Sequence, residues 1–200
     1  MRTTLFARSF RNPAAWLLLF WLAVATAAAG AELPADLLLA LRGGGQVLLV
    51  RHAQTKPGVG DPPGFRLDDC RTQRNLSAAG REQARALGAA LRARGIPVAE
   101  VRSSEWCRCL DTARLAFADR TPVRPWAALN SFFGEASAEP ERTRQLRAAA
   151  AEVPADVNVV WVTHQVNITA LTGIVPAMGE VVIVRAGQDG PRVAGRWLPR

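Results

Sequence analysis

Two runs of consecutive apolar residues stand out along the chain. Val47-Leu48-Leu49-Val50 leads into Arg51-His52, and Val159-Val160-Trp161-Val162-Thr163 leads into His164. Neither run alternates with polar residues, which is the pattern of a strand buried on both faces of a sheet. Strands are therefore expected at Gln46 to Arg51 and at Asn158 to Thr163. Between them the period changes. Ser77 reads as a helix N-cap, Ala84, Leu87, Gly88 and Leu91 follow at helical spacing, and Gly95 with Pro97 stops the helix. Val98 to Val101 is the next strand. Ser104 then caps a helix that turns Leu110, Ala113 and Phe117 inward, and Val123 to Leu129 is a third strand. A helix over Glu139 to Glu152 begins with Glu139, Pro140 and Glu141, as the helix dipole favours. Further strands are expected at Val181 to Arg185 and Val193 to Leu198, and a short helix at Leu37 to Leu41. Strands alternating with helices predict a three-layer α/β/α domain with a mostly parallel sheet of five or six strands.

One segment breaks the alternation. Lys56 to Arg74 is polar and rich in Gly and Pro, and a loop of that length in a compact domain is usually functional. The beginning of the chain is different again. Arg2, Arg8 and Arg11 precede an apolar run from Ala14 to Ala29, and Ala29-Gly30-Ala31 offers small residues for cleavage. This is the layout of a secretory signal peptide over residues 1–31, followed by one domain over 32–200. The apolar run, about 16 residues, is shorter than the ~20 a spanning helix needs. A periplasmic or secreted location is expected, with membrane contact only through an uncleaved leader.

The formal net charge is +8 and falls to about +5 without the leader. The excess is arginine, with Lys56 the only lysine. No basic run is interleaved with aromatic residues, so no nucleic-acid partner is expected. Of the three cysteines, Cys107 and Cys109 lie two apart on an expected helix and face different ways. Either Cys70 bridges to one of them or all three thiols stay free. No Cys-x-x-Cys pair is present and the histidines are far apart in sequence, so neither a metal site nor a cofactor is expected.

Only two histidines occur in the chain, and both end a predicted strand. In open α/β sheets that edge is where ligands bind. Arg51 precedes the first histidine. Arg108 falls in the first turn of the helix after Ser104, where a cation opposes the helix dipole unless an anion lies in front of it. These features point to phosphate chemistry carried by histidine.

Four segments, in order, sharpen that reading: Leu49-Val50-Arg51-His52-Ala53, Asn75-Leu76-Ser77-Ala78-Ala79-Gly80-Arg81-Glu82-Gln83-Ala84, Ser103-Ser104-Glu105-Trp106-Cys107-Arg108-Cys109-Leu110-Asp111-Thr112-Ala113, and Val160-Trp161-Val162-Thr163-His164. Together they resemble the histidine phosphatase family, which has a phosphoglycerate mutase-like fold. The resemblance implies a phosphoric monoester hydrolase acting on a small phosphorylated substrate without a metal. His52 would be the nucleophile that carries the phosphoryl group, with Arg51, Arg108 and His164 around the phosphoryl oxygens.

The chain departs from the family pattern in four places. Ala53 replaces a glycine, Gln165 follows His164 where many relatives have glycine, which makes Gln165 and Asn167 candidate substrate contacts, and Lys56-Pro57-Gly58 lacks an asparagine found in mutase-like members. Ser131 follows Leu129-Asn130 where mutase-like members place the glutamate that serves as acid. Glu135 is then the first choice for the acid, and Asp69 in the long loop the second. Envelope sugar phosphates are one candidate substrate class. A phosphohistidine phosphatase, and a binding module of the same fold that no longer turns over its ligand, are the alternatives.

Overall fold

The computed structural model describes residues 32–187 and 190–199; the leader expected over 1–31 lies outside them. The described residues contain, in order, α1 (Ala35–Gly43), β1 (Gln46–Arg51), α2 (Ala78–Ala93), β2 (Glu100–Ser103), α3 (Cys107–Phe117), β3 (Val123–Pro125), α4 (Glu139–Ala151), β4 (Val159–Thr163), α5 (Gln165–Thr172), β5 (Val181–Arg185) and β6 (Arg192–Trp197). The strands form one sheet in the order β3-β2-β4-β1-β5-β6. β3, β2, β4 and β1 are mutually parallel, while β5 runs antiparallel to β1 and β6 antiparallel to β5. The three-layer, mostly parallel architecture expected from the hydrophobic pattern is the one observed. Among the described residues no helix is long and apolar enough to cross a membrane.

The two faces of the sheet divide the core. Leu48, Val50, Val160 and Val162 pack with α1, α2 and α3 through Leu41, Leu87, Leu91 and Ala113. Val47, Leu49, Val159 and Trp161 pack on the other face with Leu146 and Ala150 of α4 and Ile168 and Leu171 of α5. Connection handedness accounts for this division. The chain moves outward from β1 through β2 to β3 with α2 and α3 on one face. It then returns from β3 to β4, and a right-handed crossover in the reverse direction requires α4 on the opposite face. β4 thereby inserts between β1 and β2. Its carboxyl end and that of β1 become neighbours at the point where strand order reverses, and both strands finish in a histidine.

The local expectations fail in instructive ways. The second strand is Glu100–Ser103, displaced from Val98 to Val101. The third is only Val123–Pro125, an edge strand. Beyond Pro125 the chain leaves the sheet, and Ala127–Leu129 forms one turn of helix that packs Ala128 and Leu129 with α4. α5 follows His164 where the apolar pattern predicts no element; Gly173, left-handed at φ 76°, terminates it. Ser104 does not cap α3. The first free amide of that helix, Cys107 N–H, donates instead to Gln73 Oε1 at 2.9 Å, across the chain from the long loop.

Candidate active site

His52 is held at the end of β1 by backbone pairing on both sides. Its N–H donates to Thr163 O at 2.9 Å, and its carbonyl accepts from Gly179 N–H at 3.1 Å. The next residues are fixed by α2 and α3. Ala53 N–H donates to Thr112 Oγ1 at 3.0 Å. Ser77 Oγ accepts from Gly80 N–H, capping α2, and donates to Gln54 O. Gln83 accepts from Gln54 N–H and donates to Met178 O. Gly80 is required here, because a Cβ at that position would lie 1.8 Å from Gln54 O. The Leu-Ser-x-x-Gly-x-x-Gln segment is thus a clamp on the backbone that follows His52.

The His52 ring is buried, and its Nδ1 lies 2.9 Å from Ala53 O. A carbonyl can only accept, so Nδ1 carries the proton and Nε2 keeps its lone pair. Burial, and then the Arg108 guanidinium, push the His52 imidazole down to about 3, so the ring is neutral at physiological pH. His164 stands beside it with ring centroids 5.6 Å apart. Burial first, and Arg108 next, hold His164 well below its ordinary value too.

A hydrogen-bond network sets the His164 tautomer. Asn130 Oδ1 accepts from Glu105 N–H and Asn130 Nδ2 donates to Glu105 Oε2, which fixes the amide. Ser104 Oγ must then give its single proton to Asn130 Oδ1, 3.1 Å away. His164 Nε2, 2.8 Å from Ser104 Oγ, is therefore the donor in that contact. Nδ1 is the unprotonated nitrogen and accepts from Arg108 Nη2 at 3.4 Å. Ser104 thus positions the second histidine. Cys109 Sγ lies 3.4 Å from the same Nε2, and burial pushes its thiol up to about 12, which removes it as a thiolate nucleophile.

Three guanidiniums border a cleft of about 640 Å³ in front of these rings: Arg51, Arg108 and Arg74. Arg51 Nη1 donates to Pro176 O at 2.7 Å. Arg51 Nε and Arg108 Nε are buried donors without a partner in the described structure. Such donors are costly unless an anion takes them. Sequence reasoning missed Arg74. It also missed Asp61, whose carboxylate accepts from Arg108 Nη1 at 2.8 and 3.0 Å, from Trp106 Nε1 at 3.0 Å and from Arg74 N–H at 2.9 Å. Both residues belong to the long Gly- and Pro-rich loop. Its length was a signal, but nothing in its composition separates Asp61 from Asp68 or Asp69.

The loop is tied down at one point. A disulfide joins Cys70 to Cys107, leaving Cys109 as a buried free thiol. This resolves the open pairing and fastens the loop to the first turn of α3, next to Arg108.

The remaining expected residues divide. Gln165 lines the cleft, as does Ser131. Asn167 is buried and donates to Asn130 O at 2.9 Å, behind the cleft rather than on its lining. Asp69 is engaged by Arg66 and Arg71 and caps the short turn Cys70–Thr72, away from the lining. Glu135 is largely exposed, at 66% for its side chain, and lies 3.8 Å from Arg142. Its neighbour Gly134 borders the cleft, but Glu135 does not. Neither expected acid stands where substrate would meet it. Asp69 is held by arginines of its own segment, whereas Glu135 stands in solvent beside a single arginine of α4. Among the described residues, no three His, Cys, Asp or Glu side chains gather as a metal site.

Solved structures share this architecture. The protein histidine phosphatase SixA complexed with tungstate aligns at TM-score 0.57 and 16% identity, covering 77% of this chain and 97% of that one. The alpha-ribazole phosphatase from Shigella flexneri aligns at TM-score 0.53 and 18% identity, covering 78% and 96%. A phosphoserine phosphatase from Entamoeba histolytica, bound to phosphoserine, aligns at 0.55 and 11%, covering 76% and 95%. At these identities the likeness is one of fold. No curated protein matches the chain significantly in sequence. The family model described as histidine phosphatase superfamily (branch 1) matches residues 47–147, half of the chain. With the ordered motifs and the paired strand ends, that match places the chain in the histidine phosphatase superfamily, branch 1.

Proposed function

We propose that the protein is an exported phosphatase that hydrolyses phosphomonoesters through a phosphohistidine on His52. The observation that carries this reading is the neutral His52 ring, with its free Nε2, buried beside arginines whose Nε donors are unsatisfied. In this mechanism Nε2 bonds to phosphorus as the ester P–O bond breaks and the alcohol leaves, while Arg51 and Arg108 hold the phosphoryl oxygens. His164 Nδ1 accepts from Arg108 in the free protein. It becomes a donor to the phosphoryl group by taking up a proton from solvent, which the incoming anion favours, with Nε2 still held by Ser104. Water then attacks the phosphohistidine and releases phosphate.

Val59, Phe65, Phe133, Val166 and Met178 also line the cleft. These apolar side chains, beside the charged groups, favour a substrate whose organic part is neutral and presents an apolar face. A sugar or alkyl phosphate fits better than a phosphorylated amino acid or a bisphosphate. Export is supported by the leader pattern and by the Cys70–Cys107 bridge, since disulfides persist in oxidising compartments.

The test is turnover of p-nitrophenyl phosphate with 32P-labelled ester and peptide mapping. Wild type should turn over many times and carry acid-labile label on His52. His52→Ala should lose activity by more than roughly 10³-fold. Full activity in that variant would exclude the reading. A stable one-to-one phosphoenzyme in the wild type would instead mark a binding module. N-terminal sequencing of protein expressed from the full chain should find Glu32 first.

A further inference from the structure

We infer that Asp61 is the general acid and base of the reaction, on the reading that His52 carries the phosphoryl group. Among the described residues that line the cleft, Asp61 is the only one with a carboxyl group. Its side chain is 7% exposed and touches the same Arg108 that touches His164. The site expected to supply the acid holds Ser131 instead, and Ser131 Oγ accepts from Phe133 N–H at 3.1 Å.

The hydrogen bonds explain how a paired carboxylate becomes an acid. In the free protein burial alone would raise the Asp61 carboxyl. The Arg74 amide and Arg108 outweigh it, so the group is ionised. A phosphoryl group entering the cleft competes for Arg108 Nη1 and sets negative charge beside Asp61. Losing a cation and gaining an anion both favour the protonated carboxyl. The carboxyl stays in place meanwhile, because Trp106 Nε1–H holds Oδ2 and Arg74 N–H holds Oδ1 without help from Arg108. Each oxygen retains a lone pair for the proton in transit.

The proton arrives with the substrate. A phosphomonoester has a second pKa of about 6 and enters as the monoanion below it. Its proton passes from a phosphoryl oxygen to the Asp61 carboxylate. His52 Nε2 then bonds to phosphorus as the ester P–O bond breaks, and Asp61 gives that proton to the departing alkoxide oxygen. In the second half Asp61 takes a proton from water, the oxygen of that water bonds to phosphorus, the P–N bond to His52 breaks, and Asp61 returns its proton to the departing phosphate. Asp61 lies in the segment Gly58 to Phe65 that walls the cleft.

The experiment is a leaving-group series of phosphomonoesters, read as kcat/KM. With an acid in place, wild type should show little dependence on leaving-group pKa, and kcat/KM should decline above the second pKa of each ester. Asp61→Asn should lose roughly 10²-fold or more on a primary alkyl phosphate but under about tenfold on p-nitrophenyl phosphate. It should also accumulate label on His52, since the base for hydrolysis is gone. Glu135→Gln should leave the series unchanged. Equal losses on both esters would overturn the assignment. So would a uniform gain, which would make Asp61 a plug on Arg108, or transfer of the leaving-group effect to Glu135→Gln. If Asp61→Asn does not fold, the wild-type series decides alone, and a steep decline with leaving-group pKa rejects the acid. Failure of the underlying phosphatase reading looks different: no label on wild-type His52, or turnover by His52→Ala.

Discussion

The floor and the wall of the cleft are built by different physics. The floor is made where two parallel strands end, and its histidines are fixed by sheet pairing, by Thr112 and by Ser104. The wall is the stretch from Lys56 to Asn75, with little regular structure, held by hydrogen bonds to α3 and by one disulfide. The floor contributes neutral imidazoles and the wall contributes the one carboxylate. Arg108 belongs to both, since Nη2 faces His164 and Nη1 faces Asp61. The difference teaches that the groups which must not move come from the sheet. The group that must change protonation sits on the wall, against the same Arg108 that a phosphoryl group would engage.

The strongest way to break this division is to remove its hinge. Arg108→Ala should lower kcat/KM by roughly 10²- to 10³-fold, the usual cost of deleting a charged donor at a transferring group. Arg74→Ala, on the wall, should cost roughly tenfold or less. Comparable losses from both, measured on the same ester, would show that the wall binds phosphate as firmly as the floor.

Next in size is the disulfide. Replacing Cys70 and Cys107 by serine opens a loop with a sequence separation of 37 and should cost about 3–4 kcal/mol of stability by chain entropy. Urea titration measures this. The floor does not depend on the bridge, so the double variant should still form labelled phosphohistidine below its unfolding transition. Loss of the label in folded protein would mean that the wall shapes the floor.

The smallest expected effect separates the regions by pH. Buried neutral histidines have folded values below their unfolded value, so the unfolded chain binds more protons and stability rises with pH. His52 therefore subtracts stability as pH falls from about 6.5 toward its folded value of about 3, and His164 acts in the same direction. Asp61 is shifted in the same direction but from a lower starting point. Its contribution is present above its unfolded value of 3.8 and is lost only below it. Between pH 6.5 and 5 the loss should belong to the floor rather than to the carboxylates. Urea midpoints should fall in wild type over that range and fall less in His52→Asn. Identical slopes would contradict the assignment.

These regions also differed in how far they could be read from sequence. His52, Arg51, Arg108, His164 and Gln165 all lie on the cleft, because each follows an apolar run or a spaced motif whose pattern encodes its place. Thr112, Gly80 and Gln83 belong to the same motifs and turn out to brace the backbone after His52. Asp61 and Arg74 carried no such pattern. Glu135 and Asp69 are suggested as acids by chain position alone; local arginines hold Asp69, and Glu135 stays in solvent. Ser104 was legible as a polar residue before a helix, but it positions His164, while Gln73 reaches across to cap the helix.

Periodicity and motif order determined the α/β layers, the strands that end in histidine and the family, because those depend on local burial and on spacing along one chain. Tertiary structure decided the tautomers, the Cys70–Cys107 pairing and the carboxylate that faces Arg108. Each of these depends on groups far apart in sequence meeting within a few ångströms. A loop of glycines and prolines leaves that meeting to packing and hydrogen bonds rather than to any repeat the sequence could display.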